Sequence, residues 1–266
     1  MKLYVTSDCH GFTTELKEAL DKSGFFTDTE PHKLVILGDA GDRGTEAVEM
    51  QKFMMELLEK DELIFIKGNH EWLIQDMIEH FDEYKEDIAW GCSHHVSNGT
   101  WDTALQLAGM NEFEAFANIE KFIYRVKSSD FYSKLIPISV NYLETDKYIF
   151  CHSWIPLKRK DNYPTHYIKN RKFEFDPDWR HASQSAWNDA MWGNPFDMAA
   201  NGFNQTDKTI VFGHWNCSAG WARTENRSEF GKNAKFEPFY GDNFIAIDAC
   251  AAHSKKVNVL IIEDNL

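Results

Sequence analysis

Six side chains stand out for their chemistry and for where they fall. Asp8 and His10 close "KLYVTSDCH", Asp39 follows "KLVILG", and Asn69 sits in "ELIFIKGNH". His152 ends "KYIFCH" and His214 ends "KTIVFGH". The set offers carboxylate, imidazole and amide donors and needs no thiolate, which suits Mn, Fe or Zn rather than a soft metal or a structural cysteine site. These oxygen and nitrogen donors are enough for two adjacent divalent ions, with one carboxylate shared. Asp39 is the natural bridge, because its strand lies between the others. Two ions ~3.5–4 Å apart are suited to in-line displacement at phosphorus. Asp8 and His10, two residues apart at a strand end, are expected to point the same way, with Cys9 facing the opposite side. Cys151, directly before His152, is read as core on the same ground.

The elements that must hold these groups are legible as short apolar runs. Besides the five already quoted, "NFIAIDA" (243–249) and "KVNVLIIED" (256–264) have strand length and composition and end in acids without the glycine. Continuous apolar strands are buried on both faces. Between the first three, "TTELKEALDKSG" places Leu16, Ala19 and Leu20 on one helical face and stops near Gly24. "TEAVEMQKFMMELLEK" does the same with Val48, Met54, Met55 and Leu58 behind a threonine start. A β-α-β-α-β order is α/β architecture, whose functional groups gather at strand carboxyl ends. Residues 75–135 read as mostly helical, interrupted by "AWGCSHHVSNGTWDT", and 154–206 as irregular and aromatic; both are expected to wall a cleft. His94 and His95 with Cys92 suggest zinc, but no second half of such a site lies nearby in the sequence, so they are read as structural or cleft-lining. His32, His80, His166, His181 and His253 have no matching context.

Composition bounds the partners. The chain has 266 residues and a formal charge of −14, which disfavours a general nucleic-acid or anionic-membrane surface. No apolar run reaches membrane-spanning length, and the first residues pass directly into a strand pattern. The 5 cysteines are scattered without a CxxC pair, as expected of reduced thiols in the cytoplasm. Without repeats or a linker, residues 1–266 are expected to form one domain.

"SDCHG", "GDAGDRG", "GNHE", a "CH" after one strand and a "GH" after another resemble the calcineurin-like metallophosphoesterases, in their phosphoprotein-phosphatase branch. All five motifs appear in order between Asp8 and His214. "YIFCHSWIP", "AWND" and "FIAIDA" further resemble the bacterial and bacteriophage-lambda-type Ser/Thr protein phosphatases. The resemblance implies two mixed β-sheets packed as a sandwich and flanked by helices, with the metals at strand carboxyl ends. It implies Asp8, His10, Asp39, Asn69, His152 and His214 as ligands of two ions, manganese foremost, with Asn69 also meeting substrate. Arg43 would clamp phosphate oxygens. Asp42 would orient His70 as general acid. Gly38 would allow a sharp turn, and Gly41 and Gly44 a close approach of the loop. The nucleophile would be a hydroxide bridging the metals.

Nucleases and cyclic-nucleotide phosphodiesterases of this superfamily usually carry a second histidine where this chain has Asn216. Trp187-Asn188-Asp189 stands where phage-type phosphatases carry Trp-Asn-Arg, which leaves Arg180 or Arg223 as possible substitutes. The expected activity is hydrolysis of phosphoserine or phosphothreonine in proteins, or of a small phosphoester. A diadenosine-polyphosphate hydrolase is the alternative, ahead of a nuclease or a decayed binding protein.

Overall fold

A computed structural model describes residues 1–159 and 173–265; His166 lies outside the described residues. In chain order the strands are β1 (Lys2–Thr6), β2 (His32–Leu37), β3 (Leu63–Ile66), β4 (Tyr142–Glu144), β5 (Tyr148–Cys151) and β6 (Leu157–Arg159). They continue as β7 (Phe173–Phe175), β8 (Thr209–Phe212), β9 (Phe239–Gly241), β10 (Phe244–Ala246) and β11 (Leu260–Glu263). Every apolar run read as a strand is one. The sequence reading missed the three-residue strands β4, β6, β7 and β9, which are too short to carry a period.

One sheet has the order β11-β1-β2-β3 and the other β4-β5-β8-β10-β9; β6 and β7 form a separate hairpin. In each large sheet three consecutive strands run parallel (β1, β2, β3 and β5, β8, β10), and antiparallel strands occupy edges. The alternation of side chains sorts the core into layers. Leu3, Val5, Val35, Leu37, Ile66, Phe150, Val211 and Ile247 meet between the two sheets. Tyr4, Leu34 and Ile36 point the other way, into the helices on the first sheet. Ile149, Cys151, Ile210 and Phe212 do so on the second. The molecule is therefore an α/β sandwich of two mixed sheets between helices.

Helices α1 (Thr13–Lys22), α2 (Ala47–Glu59) and α3 (Asn69–Glu79) follow the first three strands. The inward face of α2 is Met50, Phe53, Met54 and Leu57; Val48, Met55 and Leu58 are only half-buried, and no side chain caps its start. Met54 is inward as expected, but Met50, Phe53 and Leu57 are buried in place of Val48, Met55 and Leu58. The region read as mostly helical contains α3, α4 (Phe81–Ala89), α5 (His94–Ser97), α6 (Thr100–Ala108), α7 (Glu112–Ala117) and α8 (Ile119–Ser128), then a π-helical turn at Phe131–Leu135. Within 173–206, expected to be irregular, helices span Gln184–Ala190 and Pro195–Ala200.

Candidate metal centre

The parallel strands of both sheets deliver their ends to one edge. Asp8, Asp39, His214 and Asp248 each stand two residues beyond a strand, and His152 directly follows β5. Asn69 and His70 open α3. The first sheet thus supplies Asp8, His10, Asp39, Asn69 and His70, and the second supplies His152, His214 and Asp248. All are buried except His214, which is half-buried at the rim.

The turns that hold them are left-handed. Asp8, His10, Asp39, Asp42, Arg43 and His214 all have φ between 47° and 68°. Non-glycine residues enter this region at a cost, and such strain collects at functional sites. Asp8 and His10 therefore converge through turns past the end of β1, not through the pleat of a strand. Cys9 faces the core as expected. The loops after β1 and β2 brace each other: His10 N donates to Asp39 O at 2.9 Å, and Gly11 N to Ala40 O at 2.7 Å. A Cβ at Gly38, where φ is 82°, would fall 2.5 Å from Gly68 Cα and 2.7 Å from His152 Nδ1. A Cβ at Gly44 would strike the His10 carbonyl. Gly41 instead faces Thr103 and Phe131, and only its carbonyl serves the site.

Hydrogen bonds to ring nitrogens fix which lone pairs face inward. His152 donates from Nδ1 to the Leu37 carbonyl at 2.7 Å, so its Nε2 is an acceptor. That Nε2 lies 2.8 Å from Asn69 Oδ1, 3.2 Å from His214 Nδ1 and 3.4 Å from Asp39 Oδ1. His10 Nδ1 donates to the Gly41 carbonyl at 3.0 Å, leaving Nε2 3.8 Å from Asp39 Oδ2 and 4.0 Å from Asp8 Oδ1. Lone pairs crowding together without protons between them are satisfied by cations, and this donor set fits a pair of divalent ions. Asp39 turns one oxygen to each side. Asp39 with His10 and His70, and Asp39 with His152 and His214, form two such groups.

Burial raises the carboxyls of Asp8 and Asp39 well above the ordinary range, and their mutual repulsion adds to it for Asp39. Burial likewise holds His10, His70 and His152 well below the usual imidazole value and lowers His214 to about 3. Neutral imidazoles beside carboxylates are the ligand state that a cation selects.

Asp42 Oδ2 accepts from His70 Nδ1 at 2.6 Å and from Thr100 Oγ1 at 2.6 Å. His70 Nε2 consequently faces the cleft. Arg43 spans the mouth, donating from Nη1 to His10 Nε2 at 2.7 Å and from Nη2 to His70 Nε2 at 3.0 Å.

Two buried acids escaped the sequence reading. Glu71 accepts from the backbone N–H groups of Asp39, Ala40 and Gly68 at 2.8–3.0 Å, pinning the loop after β2 to the start of α3. Asp248 lies beside Asp8, and burial raises it to about 6. Its signal was the acid ending "NFIAIDA" at the same offset as Asp8 and Asp39.

Neither expected substitute arginine is free: Arg180 is paired with Glu144 and Arg223 with Asp197. Asp189 is held by Arg159 from β6. Beside His214 opens a cavity of about 550 Å³ lined by Trp72, His94, Asp189, Trp192 and Trp215 among others. Trp72 and Trp192 meet edge to face at 6.1 Å.

The five cysteines are free thiols. Among the described residues no helix is long and apolar enough to cross a membrane.

The chain is similar to several known proteins. A bis(5'-nucleosyl)-tetraphosphatase (asymmetrical) of Oceanobacillus iheyensis is 30% identical over 76 residues. That match covers 26% of this chain, and the chain spans only 30% of the relative's length. A cold-active protein-tyrosine phosphatase of a psychrophilic Shewanella superposes with a TM-score of 0.52 at 16% identity, over 98% of this chain and 75% of that one. A putative diadenosine tetraphosphatase superposes with a TM-score of 0.49 at 13% identity, over 98% and 89% of the two chains. The model of the calcineurin-like phosphoesterase family matches residues 1–254, nearly the whole chain, and the protein belongs to that family of metal-dependent phosphoester hydrolases.

Proposed function

We propose that this protein hydrolyses a dinucleoside polyphosphate of the diadenosine class, using two divalent ions, manganese foremost. Asp8, His10 and Asp39 would hold one ion, and Asp39, Asn69, His152 and His214 the other. The crowding of inward lone pairs on both sides of Asp39 supports the pair of ions, and the tryptophan-lined cavity beside His214 carries the choice of substrate. When bound, such ions acidify a water and draw charge from phosphoryl oxygens.

The chain's own groups account for the rest of the reaction. Arg43, with two N–H groups aimed into the mouth, exchanges the ring nitrogens of His10 and His70 for two phosphate oxygens. That exchange frees His70 Nε2 to take up a proton from solvent, as an imidazolium paired with the Asp42 carboxylate, and to pass it to the leaving oxygen. Asp42 holds the ring and stabilises its charged form, while Thr100 supports Asp42.

The wall of the cleft favours a nucleotide. Trp72, Trp192 and Trp215 beside His214 offer stacking faces and edges to a base, worth about 1–3 kcal/mol per stacked base. The relative named for nucleosyl tetraphosphates lends support. The second reading, a Ser/Thr protein phosphatase, draws support from Glu71 in "GNHE" and from the Asp42-Arg43-Gly44 run.

Metal-stripped protein assayed with diadenosine tetraphosphate and a phosphoserine peptide, with and without Mn²⁺, decides between them. Cleavage of the dinucleotide is expected, with Trp192→Ala raising its KM about ten- to hundredfold. Turnover of the peptide alone would overturn the nucleotide reading in favour of the second. Inactivity on both would overturn both.

A further inference from the structure

A second cluster of ligand-type side chains lies where α3, α4 and α5 meet. Donor atoms of Asp76, His94 and His95 all fall within 4.8 Å of one another. His95 is fully buried, and neither of its ring nitrogens has a hydrogen-bond partner. A buried polar group left so is costly and calls for an ion or a water.

The spacing separates those two. His95 Nε2 lies 3.5 Å from Asp76 Oδ2, beyond a good hydrogen bond. It is also too short for a water between them, since two hydrogen bonds of ~2.8 Å meeting at a tetrahedral angle put their ends ~4.5 Å apart. Two ligands of one tetrahedral zinc, each at ~2.0–2.1 Å, stand roughly 3.3 Å apart.

The surroundings are those of an oriented ligand set. Tyr84 Oη donates to Asp76 Oδ2 at 2.9 Å, and His80 Nδ1 lies 3.3 Å from Oδ1. The Tyr84 ring stands edge-on to His94 and His95 at 5.6 and 4.6 Å.

We propose that Asp76, His94 and His95 bind a single zinc-class divalent ion, distinct from the pair at Asp39, with water completing its shell. The missing half of the zinc site suggested by His94 and His95 is thus Asp76, two helices earlier on α3. Cys92 takes no part: it is exposed, and its thiol turns to the Trp90 carbonyl. The ion would tie α3 to α5, directly ahead of α6. Thr100 and Thr103 of α6 hold Asp42, so the site braces the frame behind His70. This inference does not depend on the hydrolase reading.

The test is a count of metal. Wild type, His94→Ala, Asp76→Asn and Asp39→Asn are stripped with chelator, loaded with Zn²⁺ as the sole metal and desalted. Zinc per chain is then measured by mass spectrometry, with circular dichroism as a check on folding. His94 is exposed, so its truncation leaves the core intact. His94→Ala and Asp76→Asn should each retain one zinc per chain fewer than wild type. Loaded with Co²⁺, both should lose the intense visible bands of a four-coordinate ion. Equal zinc in wild type and both variants, or cobalt bands that survive His94→Ala, would overturn the proposal. Asp39→Asn reports on the other centre separately, so failure of either site is read without the other.

Discussion

At the scale of single residues, His70 and Asp39 do different work and separate experimentally. His70→Asn keeps the inward ligands, so the variant should hold its metal while kcat falls about 10²–10⁴-fold on a substrate with a poor leaving group. Metal analysis beside steady-state kinetics checks this, and near-normal turnover would refute the general-acid role. Asp39→Asn removes the shared oxygen and should lose metal and activity together. Those identities were readable because ligand chemistry restricts residue type. The geometry was not: six residues of the site are left-handed without being glycine, so no local signal announced them. Glu71 was equally hidden, since a carboxylate that binds only backbone N–H groups looks in sequence like any acid on a helix.

At the scale of elements, the close approach of loops sets the tolerance. Gly38→Ala would need the loop before α3 and the His152 ring to move, while its own φ of 82° strains any side chain. We expect a loss of at least ~2 kcal/mol, read as a lower urea midpoint at unchanged slope. On β4, Glu144 accepts from Arg180 at 2.5–2.7 Å and pairs with Lys208 at 2.9 Å, and chiefly the Arg180 bond lowers its pKa to about 2. A depressed carboxyl contributes stability that is present above its unfolded value near 4.5 and is lost as pH falls through about 2. Glu144→Gln should therefore lessen the fall in stability between about pH 4.5 and 2, as measured by urea unfolding across that window. The strands were legible because continuous apolar runs leave few alternatives. The inward face of α2 was not, because apolar side chains cover more than one face of that helix, and tertiary packing decides that Met50 and Phe53 are buried rather than Val48 and Leu58.

At the scale of the whole molecule, the pairing of two sheets is non-local, so the α/β class followed from residue patterns but the sandwich only from family resemblance. What the sandwich does follows from how its two halves share one edge. Asp8, His10, Asp39 and Asn69 belong to one sheet, and His152 and His214 to the other. The layer between the sheets is apolar and its attraction non-directional, so hydrogen bonds at its edge, such as His152 Nδ1 to the Leu37 carbonyl, are what oppose shear. Ions gripped from both sides would act as rivets against that shear. Saturating Mn²⁺ should then raise apparent stability by about 2.7 kcal/mol at a hundredfold excess over Kd. Amide exchange should slow at Phe150 and Val211 on the inner faces as well as in the metal-bearing loops. The same ions would thereby couple catalysis to the cohesion of the fold: a chelator would loosen the seam as it silences the enzyme.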